Sequence, residues 1–451
     1  MELFGTAGIR GPIDDRLTPE LAMAVGAAAA QDGEEFVVGR DGRTSGGALA
    51  QAVSAGLTSG GARVRQAGVV PTPTLAFAAR GRHGIMVTAS HNPPADNGLK
   101  LFADGVEYDE AAEARIESRV AASEGRVAWN EWESIDRIDP LPTYRDAVEA
   151  YAREQTTSDD ARHSPEPLTV AVDCGNGMAG LATPHVLSAL DVEVVALEAN
   201  VDGHFPARES KPTPETLTAL RRFVADTDAD FGIGHDGDAD RIVVVDVDGE
   251  VVHEDTILAM LAEHFVRRSD HPDATVVTTP NASERVDERV SAVGGRIERV
   301  KLGSLHEGIA NATGPVVFAG EPWKHVHPGL GGWIDGVASA AVLTQLFAVE
   351  PLEARRDRIT ERPYRKESVS CPDAAKSAVM ESLGTTLPEA FPAASVDTEY
   401  GVRLSFDDGA WVLVRPSGTE AYVRVYAESE TVDALTENVR EVVAGAVDAA
   451  E

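Results

Sequence analysis

Short apolar runs alternate with longer amphipathic stretches along the chain, a pattern that predicts strands separated by helices. The first predicted helix lies in "TPELAMAVGAAAAQDG", with Thr18 as N-cap, Pro19 at the first helical position and Gly33 as its stop. A strand in "EEFVVGRDGR", a helix from about Gly47 to Ser59 and a strand in "ARVRQAGVV" follow. After another helix, the strand "GIMVTAS" ends at Ser90. This order is typical of an α/β fold.

The same pattern restarts twice, at "LTVAVDCGNGMAG" and at "ATVVTTP", the latter followed by a helix opened by "NASERVDERV" and by the strand "GPVVFAGE". Three units of about 100 residues with the same order of elements suggest a diverged internal repeat. The end of the chain differs, because "GAWVLVRPSGTEAYVRVYAES" predicts a strand, a loop and a strand. The closing helix carries one apolar stripe: Val432, Leu435, Val439, Val442 and Val443.

Length and charge narrow the class of protein. The 451 residues fit roughly three domains of about 150 residues, or four smaller ones. The formal net charge is -34, and only six of the 40 basic residues are lysine. We interpret this surface as adaptation to the molar salt of an extreme halophile, where self-repulsion is screened; an acidic interaction surface on a mesophilic protein is the alternative. Neither nucleic acid nor an anionic membrane is an expected partner, since both require a basic surface.

The cysteines and the N-terminal stretch bear on the compartment of the cell in which the protein is expected. Cys174 and Cys371 lie far apart without a metal-ligand spacing, so neither a disulfide framework nor a zinc site is expected. The start "MELFGTAGIRG" has no charged segment followed by an apolar run, and "LAMAVGAAAA" is far shorter than a membrane span. These features predict a cytoplasmic protein.

A glycine motif allows two interpretations. Gly175, Gly177 and Gly180 spell GxGxxG after a strand, and Glu198 ends the next strand, where a ribose-binding acid could lie. Taken alone, the motif supports a nicotinamide-dependent oxidoreductase. The same glycines also suit a tight, closely packed strand-to-helix turn without a ligand, and we favour that interpretation.

A cluster of carboxylates is more informative. Asp236, Asp238 and Asp240 alternate in "GHDGDADRIVVV", where their charges would repel one another unless a cation lay between them. Oxygen donors select Mg²⁺ or Ca²⁺ over zinc. An EF-hand loop would need glycine and glutamate where Arg241 and Val247 stand, so that interpretation fails. A solvated acidic turn remains the structural alternative.

Three carboxylates supply only part of a magnesium shell, which commonly includes phosphate oxygens. The loop "TASHNP" offers Ser90 as a site for a phosphoryl group, although a loop serine is more often a solvated hydroxyl or a cap. The loop "RPSGTE" offers an anion cradle of side chains and backbone N–H groups from Arg415, Ser417, Gly418 and Thr419, to which Arg424 could add a second guanidinium. It lacks the lysine and helix of a P-loop, and an ordinary hairpin connection is the alternative.

"FGTAGIRG", "TASHNP", "DGDADR", "GE" near residue 320 and "RPSGTE", in this order, resemble the alpha-D-phosphohexomutase family over nearly the whole chain. The resemblance implies an α/β fold with three topologically similar α/β domains plus a C-terminal α+β domain around a central cleft. We place these domains at residues 1–135, 145–248, 249–355 and 362–451.

The resemblance also assigns roles. Phosphorylated Ser90 would carry the phosphoryl group and share one Mg²⁺ with Asp236, Asp238 and Asp240. Arg10 and Arg241 match positions that flank the phosphoserine, and Lys100 and His91 match positions assigned to acid-base work on the sugar hydroxyl. The sugar and the non-reacting phosphate would be bound by Glu321, His325, Arg415, Ser417, Gly418, Thr419 and Arg424.

The implied reaction moves phosphate between the 1 and 6 positions of glucose or mannose phosphate through a hexose 1,6-bisphosphate, without an obligate protein partner. Phosphoglucosamine mutation and a regulatory protein that binds sugar phosphate without turnover are the alternatives. The sugar loop departs from the family pattern Gly-Glu-x-Ser-Gly-His, because Trp323 and Lys324 stand where serine and glycine are expected. His325 takes the final histidine position, with His327 as a near competitor. The choice of sugar therefore stays open.

Overall fold

The computed structural model describes residues 3–5, 8–156, 167–417 and 421–450. The chain divides into two compact units. The first comprises Met1–Ile257 and Val317–Arg355, and the second comprises Leu258–Val316 and Arg356–Glu451. None of the helices within the described ranges is both long enough and apolar enough to cross a membrane.

The N-terminal sheet of the first unit has seven strands. They are β1 (Ile9–Pro12), β2 (Glu35–Arg40), β3 (Arg63–Val69), β4 (His83–Val87), β5 (Asp96–Ala103), β6 (Val106–Glu107) and β7 (Ile135–Arg137). Their order is β1-β5-β4-β2-β3-β7, with β6 paired to β5. β4, β2, β3 and β7 are parallel neighbours, whereas β5 runs antiparallel to β1 and β4. β4 ends three residues before Ser90, earlier than predicted, and leaves that serine in a loop.

Five helices accompany this sheet: α1 (Pro19–Ala29), α2 (Gly46–Ser59), α3 (Thr72–Ala78), α4 (Glu110–Ala122) and α5 (Leu141–Glu154). The predicted N-cap is confirmed, because Thr18 Oγ1 accepts a hydrogen bond from the backbone N–H of Leu21 at 3.3 Å. The predicted stop at Gly33 is wrong, since α1 already ends at Ala29. α1 and α2 pack so closely that a Cβ added at Gly26 would lie 2.4 Å from the Val53 carbonyl oxygen.

The second sheet of the first unit has four strands and underlies the aspartate cluster. Its strands are β8 (Thr169–Asp173), β9 (Glu193–Leu197), β10 (Phe231–Gly234) and β11 (Val243–Val245), and its helices are α6 (Thr183–Ala189) and α7 (Thr218–Asp226). The order is β11-β10-β8-β9. β10, β8 and β9 are parallel and β11 is antiparallel, so the loop from β10 to β11 reverses the chain at one edge of the parallel strands.

The glycines of the GxGxxG motif form the tight, closely packed turn that the second interpretation of the motif predicted. A Cβ at Gly177 would lie 2.8 Å from the carbonyl oxygen of Gly237, and one at Gly180 would lie 2.2 Å from that of Ala199. The backbone N–H of Met178 donates to the same Gly237 carbonyl at 3.0 Å. Glycine is thus required because this turn lies directly against the backbone of the aspartate loop.

The next part of the chain contributes to both units. Its elements are α8 (Glu254–Arg268), β12 (Thr275–Thr278), α9 (Glu284–Ala292), β13 (Arg296–Arg299), α10 (Leu305–Asn311), β14 (Val316–Glu321), β15 (Lys324–Val326), α11 (Gly336–Val349) and α12 (Leu352–Arg356). β12 pairs parallel with β13 in the second unit. In the first unit β14 and β15 form an antiparallel hairpin, and α11 is buried along nearly its whole length.

The C-terminal region is an antiparallel sheet covered by two helices. Its elements are β16 (Tyr364–Ser370), α13 (Lys376–Ala390), β17 (Ser395–Asp397), β18 (Val402–Ser405), β19 (Trp411–Pro416), β20 (Tyr422–Glu428) and α14 (Val432–Ala450), and the strand order is β16-β20-β19-β18-β17. Val439 and Val443 of the predicted stripe are fully buried against this sheet. Arg285 of α9 donates to Glu428 at 2.6 Å, and Trp411 donates to the other oxygen of that carboxylate at 2.9 Å. This buried ion pair links the two segments that form the second unit.

Candidate active site

The loop between β4 and β5 holds Ser90 in a buried and constrained position. Ser90 has a φ of 51°, in the left-handed region that non-glycine residues rarely adopt, and its side chain is fully buried. Its hydroxyl donates to Asp236 Oδ2 at 2.7 Å and lies 3.3 Å from His91 Nδ1. The structure therefore brings the predicted phosphoryl carrier into direct contact with the predicted metal site, and excludes a solvated loop serine.

A buried arginine, Arg43, donates hydrogen bonds to the backbone of this loop. Arg43 donates to the carbonyl oxygens of Ser90 at 2.9 Å and Asn92 at 2.7 Å, and also to those of Pro93 and Asp96. These bonds fix the loop backbone on both sides of the serine.

The charge of Arg43 is matched by Asp41. The Asp41 carboxylate accepts from Arg43 Nε at 3.0 Å and from the hydroxyl of Thr88 at 2.7 Å, and all three side chains are fully buried. Burial raises the pKa of Asp41, and Arg43 opposes that rise. Sequence reasoning missed both residues. The signal was their place in "GRDGR", a charged turn at the end of a buried strand.

The three aspartates converge at the end of β10. Their carboxylate oxygens lie within 4.8 Å of one another, and all three residues are buried. A Cβ at Gly237 would lie 2.6 Å from the carbonyl oxygen of Ser90, so glycine allows the two loops to touch. Thr72 at the start of α3 donates its hydroxyl to Asp238 Oδ2 at 2.6 Å. The two loops thus contact each other, and the aspartate loop is also held by the start of α3.

The donor atoms fit a hard divalent cation. Within the described part of the chain, the buried Asp238 Oδ1 and Asp240 Oδ1 have no hydrogen-bond partner. Burial and the like charges of Asp240 and Asp238 raise the pKa of Asp236 well above its ordinary value. Unpartnered carboxylate oxygens and mutual repulsion are the features that a bound cation would relieve, and the donors are all oxygen.

A lysine and an arginine lie beside the cluster. Lys100 on β5 lies 2.7 Å from Asp240 Oδ2 and 3.5 Å from Asp238 Oδ2. Burial alone would lower the pKa of Lys100, but these carboxylates outweigh it and hold the pKa above its ordinary value. Arg241 Nε lies 3.7 Å from Asp236 Oδ2. The ammonium and the guanidinium therefore offset much of the negative charge of the aspartates.

Arg10 and Arg241 present donors to the same region. Arg10 lies on β1, and the buried Nε atoms of both arginines lack a hydrogen-bond partner among the residues that the structure describes. Burial, together with the charges of Arg241 and Arg10, lowers the pKa of His91 to about 2. The imidazole beside Ser90 is therefore neutral, and the arginines have donor capacity for an anion.

The hairpin of β14 and β15 borders the cluster with Glu321 and Lys324. These residues are directly opposed in the hairpin, and Lys324 Nζ lies 2.7 Å from Glu321 Oε1. Trp323 in the turn has a φ of 71°. Its carbonyl oxygen accepts from the backbone N–H of Ile242 at 3.1 Å, and Lys324 forms a β-bridge with Arg241. The sugar loop predicted from the sequence is thus attached to the aspartate loop through its backbone.

The two histidines of this segment lie deeper. His325 Nδ1 is 3.0 Å from Ser339 Oγ and His327 Nε2 is 2.9 Å from the same atom, and both residues are about 1% exposed. Burial lowers the pKa of His325 to about 3. The buried His325 Nε2 has no hydrogen-bond partner within the ranges described. The sequence did not foresee that Lys324, rather than either histidine, would pair with Glu321.

The second unit carries the predicted phosphate loop. Arg415 on β19 and Arg424 on β20 are directly opposed in the antiparallel pair. Arg415 donates to the hydroxyl of Tyr426 at 3.0 Å, and Lys376 donates to the carbonyl oxygen of Ser417 at 2.6 Å. Opposed like charges destabilise a sheet unless an anion lies between them. The predicted ligands Gly418 and Thr419 lie outside the described residues.

Comparison with known proteins agrees with this arrangement. Four family profiles match successive parts of the chain: the phosphoglucomutase/phosphomannomutase alpha/beta/alpha domains I (residues 1–126), II (143–249) and III (253–362), and the C-terminal domain (369–446). A phosphopentomutase of Thermococcus kodakarensis is 38% identical over 439 residues, which cover 96% of this chain and 94% of the relative.

Two further proteins are similar over nearly their whole length. A probable phosphoglucosamine mutase of Methanopyrus kandleri is 40% identical over 439 residues, covering 95% of this chain and 94% of the relative. The crystal structure of a phosphoglucomutase/phosphomannomutase family protein from Burkholderia thailandensis superposes with a TM-score of 0.86 at 26% identity, covering 98% and 97% of the two chains.

Proposed function

Because the chain belongs to the phosphoglucomutase/phosphomannomutase family, we propose that it is a phosphosugar mutase whose phosphoryl carrier is Ser90. The observation that supports this most directly is the 2.7 Å contact between the buried Ser90 hydroxyl and Asp236. A hydroxyl in that position, once phosphorylated, would bring a phosphate to a cluster of three carboxylates.

The proposed metal is Mg²⁺, held by Asp236, Asp238, Asp240 and the phosphate of Ser90. The unpartnered oxygens of Asp238 and Asp240 support this assignment. A bound Mg²⁺ neutralises charge on the transferring phosphoryl group, whose equatorial oxygens carry the charge of the transition state.

The protein side chains orient the reactants and move the proton. The oxygen of a sugar hydroxyl forms a bond to phosphorus while the bond from phosphorus to Ser90 Oγ breaks. Negative charge on a phosphorylated Ser90 would offset the arginines that hold the pKa of His91 low. The imidazole, whose Nδ1 lies 3.3 Å from Ser90 Oγ, could then pass the proton of the sugar hydroxyl to Ser90 Oγ, and the ammonium of Lys100 could stabilise the developing charge. Arg10 and Arg241 offer donors to the phosphoryl oxygens. Reversal of the same step returns a phosphoryl group to Ser90.

Transfer in both directions needs two binding orientations. A hexose 1,6-bisphosphate would turn over within the site and return its other phosphate to Ser90, which explains why a trace of bisphosphate would activate the enzyme. The phosphate that is not reacting would bind to Arg415, Ser417, Gly418, Thr419 and Arg424. Glu321 would bind sugar hydroxyls, and the predicted role of His325 or His327 beside it stays a prediction.

Four sugars are candidates for the substrate. Glucose or mannose phosphate is our proposal from the motifs. Glucosamine phosphate has at least equal support from the relatives, several of which are described as probable phosphoglucosamine mutases. A pentose phosphate is supported by the Thermococcus kodakarensis relative. A regulatory protein that binds sugar phosphate without turnover is the alternative outside enzymes.

The test is a coupled assay in molar salt with Mg²⁺ and a trace of hexose bisphosphate. The substrates are the 1-phosphates of glucose, mannose, glucosamine and ribose. We expect turnover of at least one of them, and expect Ser90→Ala to reduce it on the order of 10⁴-fold or more because the phosphoryl acceptor is lost.

The matched control is Ser123→Ala, since Ser123 also has a positive φ of 55° but is exposed at the end of α4. This variant should keep full activity, and circular dichroism should show both variants folded. Turnover in Ser90→Ala at the level of the wild type would refute the assignment of Ser90. Sugar-phosphate binding without turnover by the wild type would favour the regulatory alternative.

A further inference from the structure

The turn of the sugar hairpin places a cation where the family pattern has glycine. We propose that Lys324 selects phosphosugars whose ring carries neutral hydroxyls and rejects those whose ring carries an ammonium group. This inference rests on the proposed function, because it names the class of sugar that the same site accepts. Among the candidate substrates it favours glucose, mannose or pentose phosphates over glucosamine phosphate.

The position of the ammonium is fixed by its own hairpin. Lys324 donates to Glu321 Oε1 at 2.7 Å, and the two side chains are only 19% and 11% exposed. The backbone of Lys324 is paired with Glu321 on one side and bridged to Arg241 on the other. The lysine is therefore part of the wall of the site and not a solvated surface cation.

The charges around Lys324 belong to the reaction site. Lys324 is bridged to Arg241, whose Nε lies 3.7 Å from Asp236 Oδ2 and 3.8 Å from Asp240 Oδ1. Glu321 is a single carboxylate that is already paired with the Lys324 ammonium at 2.7 Å. A carboxylate in that state has less attraction left for a second cation.

A neutral hydroxyl and an ammonium would meet this pair differently. A sugar hydroxyl can accept a hydrogen bond from the Lys324 ammonium and donate one to the Glu321 carboxylate, so both partners stay satisfied. An ammonium of the same size has no lone pair to accept with, and it would face the like charge of Lys324. Repulsive elements of this kind are a recognised source of specificity.

A merely structural role makes a different prediction. If Lys324 only closed the hairpin by pairing with Glu321, its replacement would alter stability and turnover for all sugars alike. If Lys324 sets specificity, its replacement changes the ratio between a neutral sugar and its amino analogue. The ratio is therefore the quantity to measure.

The experiment compares kcat/KM for glucose 1-phosphate with kcat/KM for glucosamine 1-phosphate, two substrates that differ by one hydroxyl and one ammonium. We expect the wild type to favour the neutral sugar about tenfold or more. Lys324→Met should reduce this ratio about tenfold, and Lys324→Arg, which keeps the charge, should preserve it within about threefold. Lys324→Gly, which carries the residue of the family pattern, serves as a second uncharged variant.

Two results would overturn the inference. The first is a wild type that prefers glucosamine 1-phosphate. The second is an unchanged ratio in the uncharged variants that fold. The wild-type ratio alone decides the question if neither uncharged variant folds.

A binding measurement separates this inference from the proposed function. Calorimetric titration of both sugar phosphates into the Ser90→Ala variant reports discrimination without turnover. If this variant discriminates between the two sugars in binding, and the wild type turns over no sugar phosphate, the role of Lys324 is supported and the mutase is refuted. Turnover of both sugars without discrimination would support the mutase and refute the role of Lys324.

Discussion

Two loops of the first unit border the same site but are built in different ways. The Ser90 loop is fixed by a network of buried hydrogen bonds: Arg43 donates to the Ser90 carbonyl oxygen, and Ser90 donates to Thr88 and Asp236. The turn that carries Trp323 and Lys324 is held by hairpin pairing, one backbone hydrogen bond to Ile242 and one ion pair. The first loop matches the family motif, and the second departs from it.

This difference separates chemistry from choice of substrate. Phosphoryl transfer needs a hydroxyl and three carboxylates at fixed distances, since a small displacement reduces the rate strongly. Recognition of a sugar hydroxyl needs only a donor and an acceptor on a turn whose side chains can be exchanged. We therefore expect substitutions in the first region to change the rate for all sugars, and substitutions in the second to change the preference between sugars.

Among substitutions that leave Ser90 in place, the largest effect should come from the aspartate cluster. Asp238→Asn removes one of three carboxylates and should reduce turnover on the order of 10²- to 10³-fold for every substrate, because several kcal/mol of charge stabilisation are lost. Addition of Mg²⁺ should raise the melting temperature of the wild type but not that of this variant. Chelation of divalent metal should abolish the activity of the wild type.

The matched control for this variant is Asp248→Asn, an exposed aspartate in the turn after β11. It should keep both the activity and the Mg²⁺-dependent rise of the melting temperature. A normal response of Asp238→Asn to Mg²⁺ would contradict the assignment of the metal site.

A smaller loss of turnover should follow from Arg43→Met. This variant leaves Asp41 buried without its partner, which should lower the free energy of unfolding by about 3 to 5 kcal/mol, and should reduce turnover about tenfold because the Ser90 carbonyl loses its donor. The double variant Asp41→Asn with Arg43→Met should recover part of the stability but not the turnover. Urea unfolding and the coupled assay measure the two effects; full turnover in Arg43→Met would contradict a positioning role.

The smallest effect should come from the sugar turn. Trp323 has a left-handed backbone that asparagine tolerates better than alanine. Trp323→Asn and Trp323→Ala lose similar packing against the apolar cluster of the second sheet, so asparagine should be the more stable by about 1 kcal/mol. Turnover should stay within about threefold of the wild type in both. A collapse of turnover would show that this turn also takes part in the chemistry.

Patterns among neighbouring residues were enough to predict the order of strands and helices and part of the candidate site. The alternation of apolar and amphipathic segments predicted the α/β wiring, and Thr18 and Pro19 predicted the start of α1. The repeated carboxylates predicted a possible metal cluster, which the structure contains. Each of these features depends on residues that are close together in the sequence, so the sequence alone was enough to predict it.

Long-range contacts were not predictable in the same way. Arg43 contacts carbonyl groups some 50 residues away, and no periodicity announces such a buried network. The pairing of Lys324 with Glu321 depended on the hairpin turn that places both on one side. The exact domain limits, the adaptation to high salt and the role of the loop at Arg415 stay predictions.

If Ser90 carries the phosphoryl group, that group can be followed on the protein itself. The protein would be incubated with glucose 1,6-bisphosphate and Mg²⁺ in high salt, digested, and mapped by tandem mass spectrometry before and after addition of excess glucose 1-phosphate. We expect phosphate on Ser90 that disappears as glucose 1,6-bisphosphate forms again. Turnover by a protein whose Ser90 is never phosphorylated, or transfer from a different residue, would contradict this role of Ser90.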